Sequence, residues 1–216
     1  MPDRVVPFYV VCDESYSMAD HIGALNDRLG EVHEAVGAEP DVAAGARLCV
    51  IGFSGSARIV APLSPLSRSA GARARPTGAE SNFGSAFALL RRTIQSDVEA
   101  LLADSFEVCR PVVFFLSDGQ PTDPAIWPSV HADLTTADWP GAPRMVAFGI
   151  GDADAATIGR VGTYRAFMRA GGVTPAQALH EFAGVLATSL VPAGPDHEAV
   201  IPGQVPGYTE VTRRFT

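Results

Sequence analysis

Apolar residues recur along this chain in two rhythms. The first is the near-continuous run. Val5, Val6, Phe8, Tyr9, Val10 and Val11 form one such run, and Arg47 to Phe53, Pro111 to Leu116 and Arg144 to Ile150 are others. A strand with one wet face would alternate, so these runs predict strands covered on both faces, as in a parallel sheet. The second rhythm has a spacing of three and four. Ile22, Leu25, Leu29, Val32 and Val36 predict a helix over 20–36, with Gly37 as its stop. Phe83, Phe87, Leu90, Ile94, Val98, Leu101 and Leu102 predict another over 82–102.

Weaker patterns complete the outline. A helix over 124–134 is expected with Pro124 in its first turn, and a short helix over 153–161. A last helix runs from Pro175 to about Leu190 behind Thr174 as its cap. Ala57 to Leu63 follows the turn Ser54-Gly55-Ser56 and predicts an antiparallel neighbour for the preceding strand; Tyr164 to Met168 predicts a short strand. Gly149-x-Gly151 lacks the rest of a dinucleotide fingerprint and is read as a turn. Strands and helices alternate. The expected fold is therefore α/β: a three-layer, doubly wound, Rossmann-like arrangement around a mainly parallel sheet with one antiparallel edge strand. Residues 1–190 are expected to form the domain. The Pro- and Gly-rich stretch 191–216 is expected to be a tail, wrapped on the domain or mobile.

Composition narrows the classes of function. A chain of 216 residues suits one α/β domain, and 47% hydrophobic against 19% charged residues argues for a buried core. A formal net charge of -8 argues against nucleic acid as the partner. No apolar run approaches the roughly 20 residues of a membrane helix, and Met1-Pro2-Asp3-Arg4 lacks the pattern of a secretory signal, so a cytoplasmic location is expected. Cys12, Cys49 and Cys109 are odd in number and show no CxxC spacing; buried, reduced thiols are expected. Arg58, Arg68, Arg73 and Arg75 cluster in and beside the loop 64–79, as solvated charge or as a rim for an acidic partner.

Three segments carry candidate chemistry. Asp13-Glu14-Ser15-Tyr16-Ser17 and Ser117-Asp118-Gly119 each follow a buried-type strand, and Ser81 precedes the helix over 82–102. In a doubly wound sheet, ligands bind outside the carboxyl ends of the strands where strand order reverses. Two carboxylates and three hydroxyls meeting there would form an oxygen-only cage for a hard cation such as Mg²⁺, Mn²⁺ or Ca²⁺. So few charges would leave the cation electrophilic and ready for an acidic group from another molecule. Glu14, Glu80 and Asp123 lie beside this set and are expected to be solvated loop carboxylates, with a supporting role as the alternative. Trp127 and Trp139 are expected to pack in the core or on the surface. The five histidines are scattered and offer no HxxxH pair.

The segment 13–17 resembles the DxSxS motif of von Willebrand factor A (VWA) domains, which builds the metal-ion-dependent adhesion site, or MIDAS. Ser81 resembles the family's threonine position, with the hydroxyl kept and a methyl lost. Asp118 resembles the aspartate after the fourth strand. The resemblance spans about residues 5–190. It implies that Ser15 and Ser17 ligate the metal directly, and that Asp13 and Asp118 approach it directly or through water. It implies that Ser81 ligates in one state and withdraws in another, and that Gly119 lets the backbone turn tightly. Val11 to Met18 and Phe115 to Asp123 are further similar to intracellular bacterial VWA proteins of the tellurium-resistance type. That likeness implies a non-enzymatic stress-response module whose partner is a protein supplying an Asp or Glu, such as a protein kinase or a PP2C-type phosphatase.

A second class of function stays open. Asp13 after the first strand could serve a Mg²⁺-dependent phosphohydrolase of the haloacid-dehalogenase kind as nucleophile. That mechanism wants an aspartate at position 15, where Ser15 stands, and a phosphate-stabilising lysine. The chain contains no lysine.

Overall fold

The computed structural model describes residues 3–37, 45–66, 73–191 and 199–211. The strands are β1 Arg4–Asp13, β2 Ala46–Phe53, β3 Ala57–Pro65, β4 Glu107–Val108, β5 Val112–Ser117, β6 Arg144–Gly149, β7 Arg165–Arg169 and β8 Tyr208–Glu210. The helices are α1 Ala19–Gly37, α2 Phe83–Ala103, α3 Trp127–Thr135, α4 Ala155–Val161 and α5 Pro175–Leu190. One sheet runs in the order β3-β2-β1-β5-β6-β7-β8, with β4 also pairing β1. Strands β2, β1, β5, β6 and β7 are parallel, and β3 is the antiparallel edge expected from its sequence.

The continuous apolar runs are explained by two cores. Val6, Phe8, Val10 and Cys12 of β1 face one cluster, with Leu25 of α1 and Leu179, Phe182 and Leu186 of α5. Tyr9 and Val11 face the other, with Phe83, Phe87 and Leu90 of α2, Trp127 of α3 and Ile158 of α4. Successive side chains of a strand point to opposite faces, so a strand covered twice has no polar positions. Cys12 and Cys49 are buried thiols, as expected, and Cys109 is partly exposed.

Strand order reverses between β1 and β5: the chain moves outward through β2 and β3 on one side, and through β6 and β7 on the other. The crevice at that point is where a doubly wound sheet places ligands. Beneath it, Phe53, Phe83, Phe87, Phe115 and Trp127 form a contiguous aromatic group. Phe83 lies 4.9 Å from Phe115 and 5.6 Å from Phe53, both edge-on. Edge-to-face pairs contribute roughly 0.5–1.5 kcal/mol beyond their buried area. Here they fix the first turn of α2, two residues after Ser81.

Some local expectations change. The helix expected from Pro124 begins at Trp127, and the proline in its first turn is Pro128. Residues 124–126 instead form a turn in which Ile126 and Trp127 donate to the Asp123 carbonyl at 2.9 and 3.1 Å. The loop expected from Ser64 starts later, because β3 runs to Pro65. Thr174 caps α5 with Pro175 in its first turn, as expected, and Gln177 completes a reciprocal capping box. Residues 199–211 pack on the sheet: Ala199, Ile201 and Val205 join the core, and β8 pairs antiparallel with β7. Among the described residues, no helix is long and apolar enough to cross a membrane.

Candidate metal centre

The last residue of β1 is Asp13, and its carboxylate is fully buried. Its Oδ1 accepts from the Ser15 amide at 2.9 Å, and its Oδ2 accepts from the Ser117 hydroxyl at 2.7 Å. The Ser15 and Ser81 hydroxyls lie near enough to favour its charged form. The chain then turns through a single 3-10 turn, Tyr16–Met18, closed by the Met18 amide on the Ser15 carbonyl at 3.0 Å. This turn sets the Ser15 and Ser17 hydroxyls 2.9 Å apart, and Ser17 Oγ donates to Asp118 Oδ1 at 2.8 Å. Asp13, Ser15, Ser17 and Asp118 are thus brought into one hydrogen-bonded group with Ser117, and Ser81 lies beside it. Ser15, Ser81 and Asp118 are buried, and Ser17 lies at the mouth.

Each segment has its own support. Asn82 caps α2 by accepting from the Ser85 amide at 2.8 Å. Asp123 accepts from the amides of Phe83 and Gly84 at 3.0 and 2.8 Å, so its charge meets the positive end of α2. The Thr122 amide donates to the Ser81 carbonyl at 3.0 Å. The loop after β5 is thereby tied to the segment carrying Ser81. On its other side, Ile150 and Asp152 donate to the carbonyls of Ser117 and Asp118 at 3.0 and 3.1 Å. Gly151 makes that turn with φ of 55°, in the left-handed region that favours glycine. Gly119 is not among the glycines of positive φ, and a Cβ there would meet Ser81 Oγ at an ordinary 3.6 Å. The chain does bend at Asp118-Gly119, without a left-handed glycine, and Gly149-x-Gly151 leads into the turn expected of it.

Electrostatics set this group apart. Burial pushes the Asp13 carboxyl above the usual carboxylate range, against the hydrogen bonds of Ser117, Ser15 and Ser81. Burial raises Asp118 too, opposed by the Ser17 hydrogen bond and by nearby His21. Among the described residues no arginine forms an ion pair with either carboxylate. Two desolvated carboxyls that no described arginine pairs with, set among neutral hydroxyls, fit a hard divalent cation. Among the described residues there is no cluster of three or more His, Cys, Asp and Glu that could hold a metal, so a soft-metal site is not offered there.

The structure also corrects the neighbours. Glu14 and Asp123, expected to be solvated, are buried at 0% and 9% exposure. Glu80 is exposed, as expected. Arg58, read as part of a basic surface cluster, pairs with Glu14 at 2.6 Å; Arg73 and Arg75 are exposed, and Arg68 lies outside the described residues. Trp127 is core, and Trp139 is partly buried beneath the Arg91 guanidinium. Sequence reasoning left Ser117 out of the candidate set, although its hydroxyl holds Asp13. Its place in Ser-Asp-Gly, directly after a strand, was the available signal.

No protein-family model matches the chain, and no curated protein matches it. Solved structures do. Proximal thread matrix protein 1 from the mussel byssus, with a zinc-occupied MIDAS motif, is similar at 17% identity and a TM-score of 0.61, over 88% of this chain and 48% of that one. The ArnB paralog VWA2 from Sulfolobus acidocaldarius is similar at 16% identity and a TM-score of 0.59, over 86% and 46%. The pilus adhesin SpaC from Lactobacillus rhamnosus GG, in an open conformation, is similar at 12% identity and a TM-score of 0.66, over 88% and 30%. This chain spans about half the length or less of these structures. At such identities the likeness shows the fold: a VWA-type α/β domain with a mainly parallel sheet.

Proposed function

We propose that this chain is a metal-ion-dependent protein-interaction module. Asp13, Ser15, Ser17, Ser81 and Asp118 hold a divalent cation, Mg²⁺ or one of the similar ions Mn²⁺ and Ca²⁺, in a MIDAS-type site. The cation, when bound, supplies an electrophilic position for an Asp or Glu of a partner protein. The observation that carries this reading is the hydrogen-bonded group of Asp13, Ser15, Ser17, Ser117 and Asp118 with buried Ser81 beside it, in which, among the described residues, no arginine pairs with either carboxylate. The zinc-occupied MIDAS motif of the mussel protein supports the same chemistry for the fold. The narrower sequence likeness extends the proposal to a bacterial, cytoplasmic stress-response complex of the tellurium-resistance type, with a protein kinase or PP2C-type phosphatase as partner.

The module is favoured over a phosphohydrolase. Asp13 is fully buried, and both its oxygens already accept hydrogen bonds, a poor state for a nucleophile. Ser15 stands where that mechanism needs a general acid.

Titration calorimetry with Mg²⁺ and Mn²⁺ tests the proposal. Wild type is expected to bind. Asp13→Ala and Asp118→Ala are expected to lose more than the roughly 10–100-fold typical of removing a group that merely orients a ligand. Equal affinity in all three proteins would overturn it.

A further inference from the structure

We propose that Glu14 is a positioning residue of this site: its buried carboxylate clamps the metal loop after β1 to the segment that delivers Ser81. The inference rests on the metal-binding reading. Glu14 follows Asp13 and points away from it, onto the backbone of β2. A Cβ at Gly52 would overlap its carboxyl group, so the glycine makes room for the acid. The Glu14 amide donates to the Phe53 carbonyl at 2.6 Å. Its Oε1 accepts from the Arg58 guanidinium at 2.6 Å and from the Arg75 amide at 2.8 Å. One side chain thus meets β3 and the stretch leading to Ser81.

That stretch is stitched to the metal loop immediately beside the clamp. Thr77 donates to the Glu14 carbonyl at 2.9 Å, and Tyr16 donates to the Gly78 carbonyl at 2.8 Å. Ser15 and Gly78 form an isolated parallel bridge. Ser54, in the turn between β2 and β3, shares a hydroxyl contact of 2.7 Å with Thr77 and accepts from the Asn82 amide at 2.8 Å. Ser15 and Ser81 therefore belong to two loops whose relative position passes through Glu14, Thr77 and Gly78.

Stability alone does not account for the pair. Glu14 Oε2 and Arg58 Nε are buried and have no hydrogen-bond partner among the described residues. The Glu14 side chain is 1% exposed and that of Arg58 36%, so the carboxylate is desolvated against a guanidinium that water still screens, which is weak support for stability. What this pair supplies is fixed geometry for two hydroxyls that must meet one ion, and ligand positions tolerate little error.

The test uses the full chain, with Mn²⁺ as probe, in wild type, Glu14→Gln, Arg58→Met, Arg58→Lys and the double variant Glu14→Gln/Arg58→Met. Glu14→Gln keeps the shape and removes the charge. It is expected to weaken Mn²⁺ binding about 10-fold or more. Arg58→Met is expected to do the same and Arg58→Lys to restore most of the loss. The double variant is expected to lose no more than either single, because the two groups act as one unit. Amide exchange in the metal-free protein is expected to quicken at Tyr16 and Thr77 in Glu14→Gln while the core strands stay protected. If Glu14→Gln does not fold, Arg58→Met and Arg58→Lys carry the same comparison. Affinities within about twofold of wild type in the folded variants would overturn the inference. So would equal loss in Arg58→Met and Arg58→Lys. Failure of wild type to bind Mn²⁺ would instead overturn the metal-binding reading itself.

Discussion

The two ends of β1 handle charge in opposite ways. At the N-terminal end, Arg4 pairs with Glu107 of β4 at 2.5 Å, and the two side chains are 37% and 46% exposed. Nearby, the Arg47 guanidinium lies 5.4 Å from the Phe106 ring centroid. At the C-terminal end, Asp13 and Asp118 are buried and bonded to hydroxyls and amides. Charge at the first end is met by opposite charge and water. At the second end burial raises both carboxyls, and no arginine among the described residues pairs with either. The first arrangement suits solubility and register. The second gives up stability at one rim, a feature characteristic of functional sites.

The largest effect should come from supplying the cation. Mn²⁺ at about 100 times its Kd should stabilise wild type by roughly 2.7 kcal/mol, read as a shift in urea unfolding against an EDTA control. Asp13→Asn should abolish the shift and Arg4→Ala should preserve it. A shift that survived Asp13→Asn would place the ion elsewhere. Next in size is the metal-free protein itself. With EDTA present, Asp118→Asn should unfold at higher urea than wild type, by about 0.5–2 kcal/mol, the usual gain when a strained functional position is relieved. A net loss would mean that the protein already neutralises this carboxylate, and the contrast between the two ends would fail. Smaller still, Glu107→Ala should cost at most about 1 kcal/mol, and the cost should shrink in high salt, because an exposed pair is screened.

The rim half of this contrast was legible in the sequence, for a physical reason. The runs in β1, β2, β5 and β6 are apolar because both faces of the sheet are covered, so the pattern reports topology as well as strand identity. Topology then placed Asp13 and Asp118 at one crevice, and Ser81 followed from its position before α2. The supporting residues were harder to read. Glu14 and Asp123 look like ordinary loop acids, since their partners are remote: Arg58 and Arg75 lie 44 and 61 residues from Glu14, and Phe83 lies 40 from Asp123. No local rhythm encodes such a pair. Strands β4 and β8 span two and three residues, too short to show a period, and exist because a neighbouring strand pairs with them. Pro124 suits a first helical turn by its ring, yet the Asp123 carbonyl draws in the amides of Ile126 and Trp127 and delays the helix.

The smallest effect concerns a third carboxylate that forms no ion pair among the described residues. Asp97 of α2 accepts from the hydroxyl of the fully buried Tyr9 at 3.1 Å. Burial raises the Asp97 carboxyl, opposed by that hydrogen bond, and the charge of Asp97 helps raise both the Tyr9 phenol and the Cys49 thiol. A raised carboxyl binds its proton more tightly folded than unfolded. Its contribution to stability is therefore fully present below the unfolded value of about 3.9, and is lost as pH rises through the folded value. Asp97→Asn keeps an acceptor for Tyr9 and removes the titration. Wild type should thus gain stability relative to Asp97→Asn as pH falls from neutral towards 4. The gain should be on the order of 0.5 kcal/mol, kept small by solvent around a half-exposed group. Both proteins retain Asp13 and Asp118, so the difference between their urea midpoints isolates Asp97. Mn²⁺ should leave that difference unchanged while raising both midpoints. If the difference instead tracked Mn²⁺, the Asp97–Tyr9 pair and the rim would be coupled, and β1 could not be divided into two independent ends.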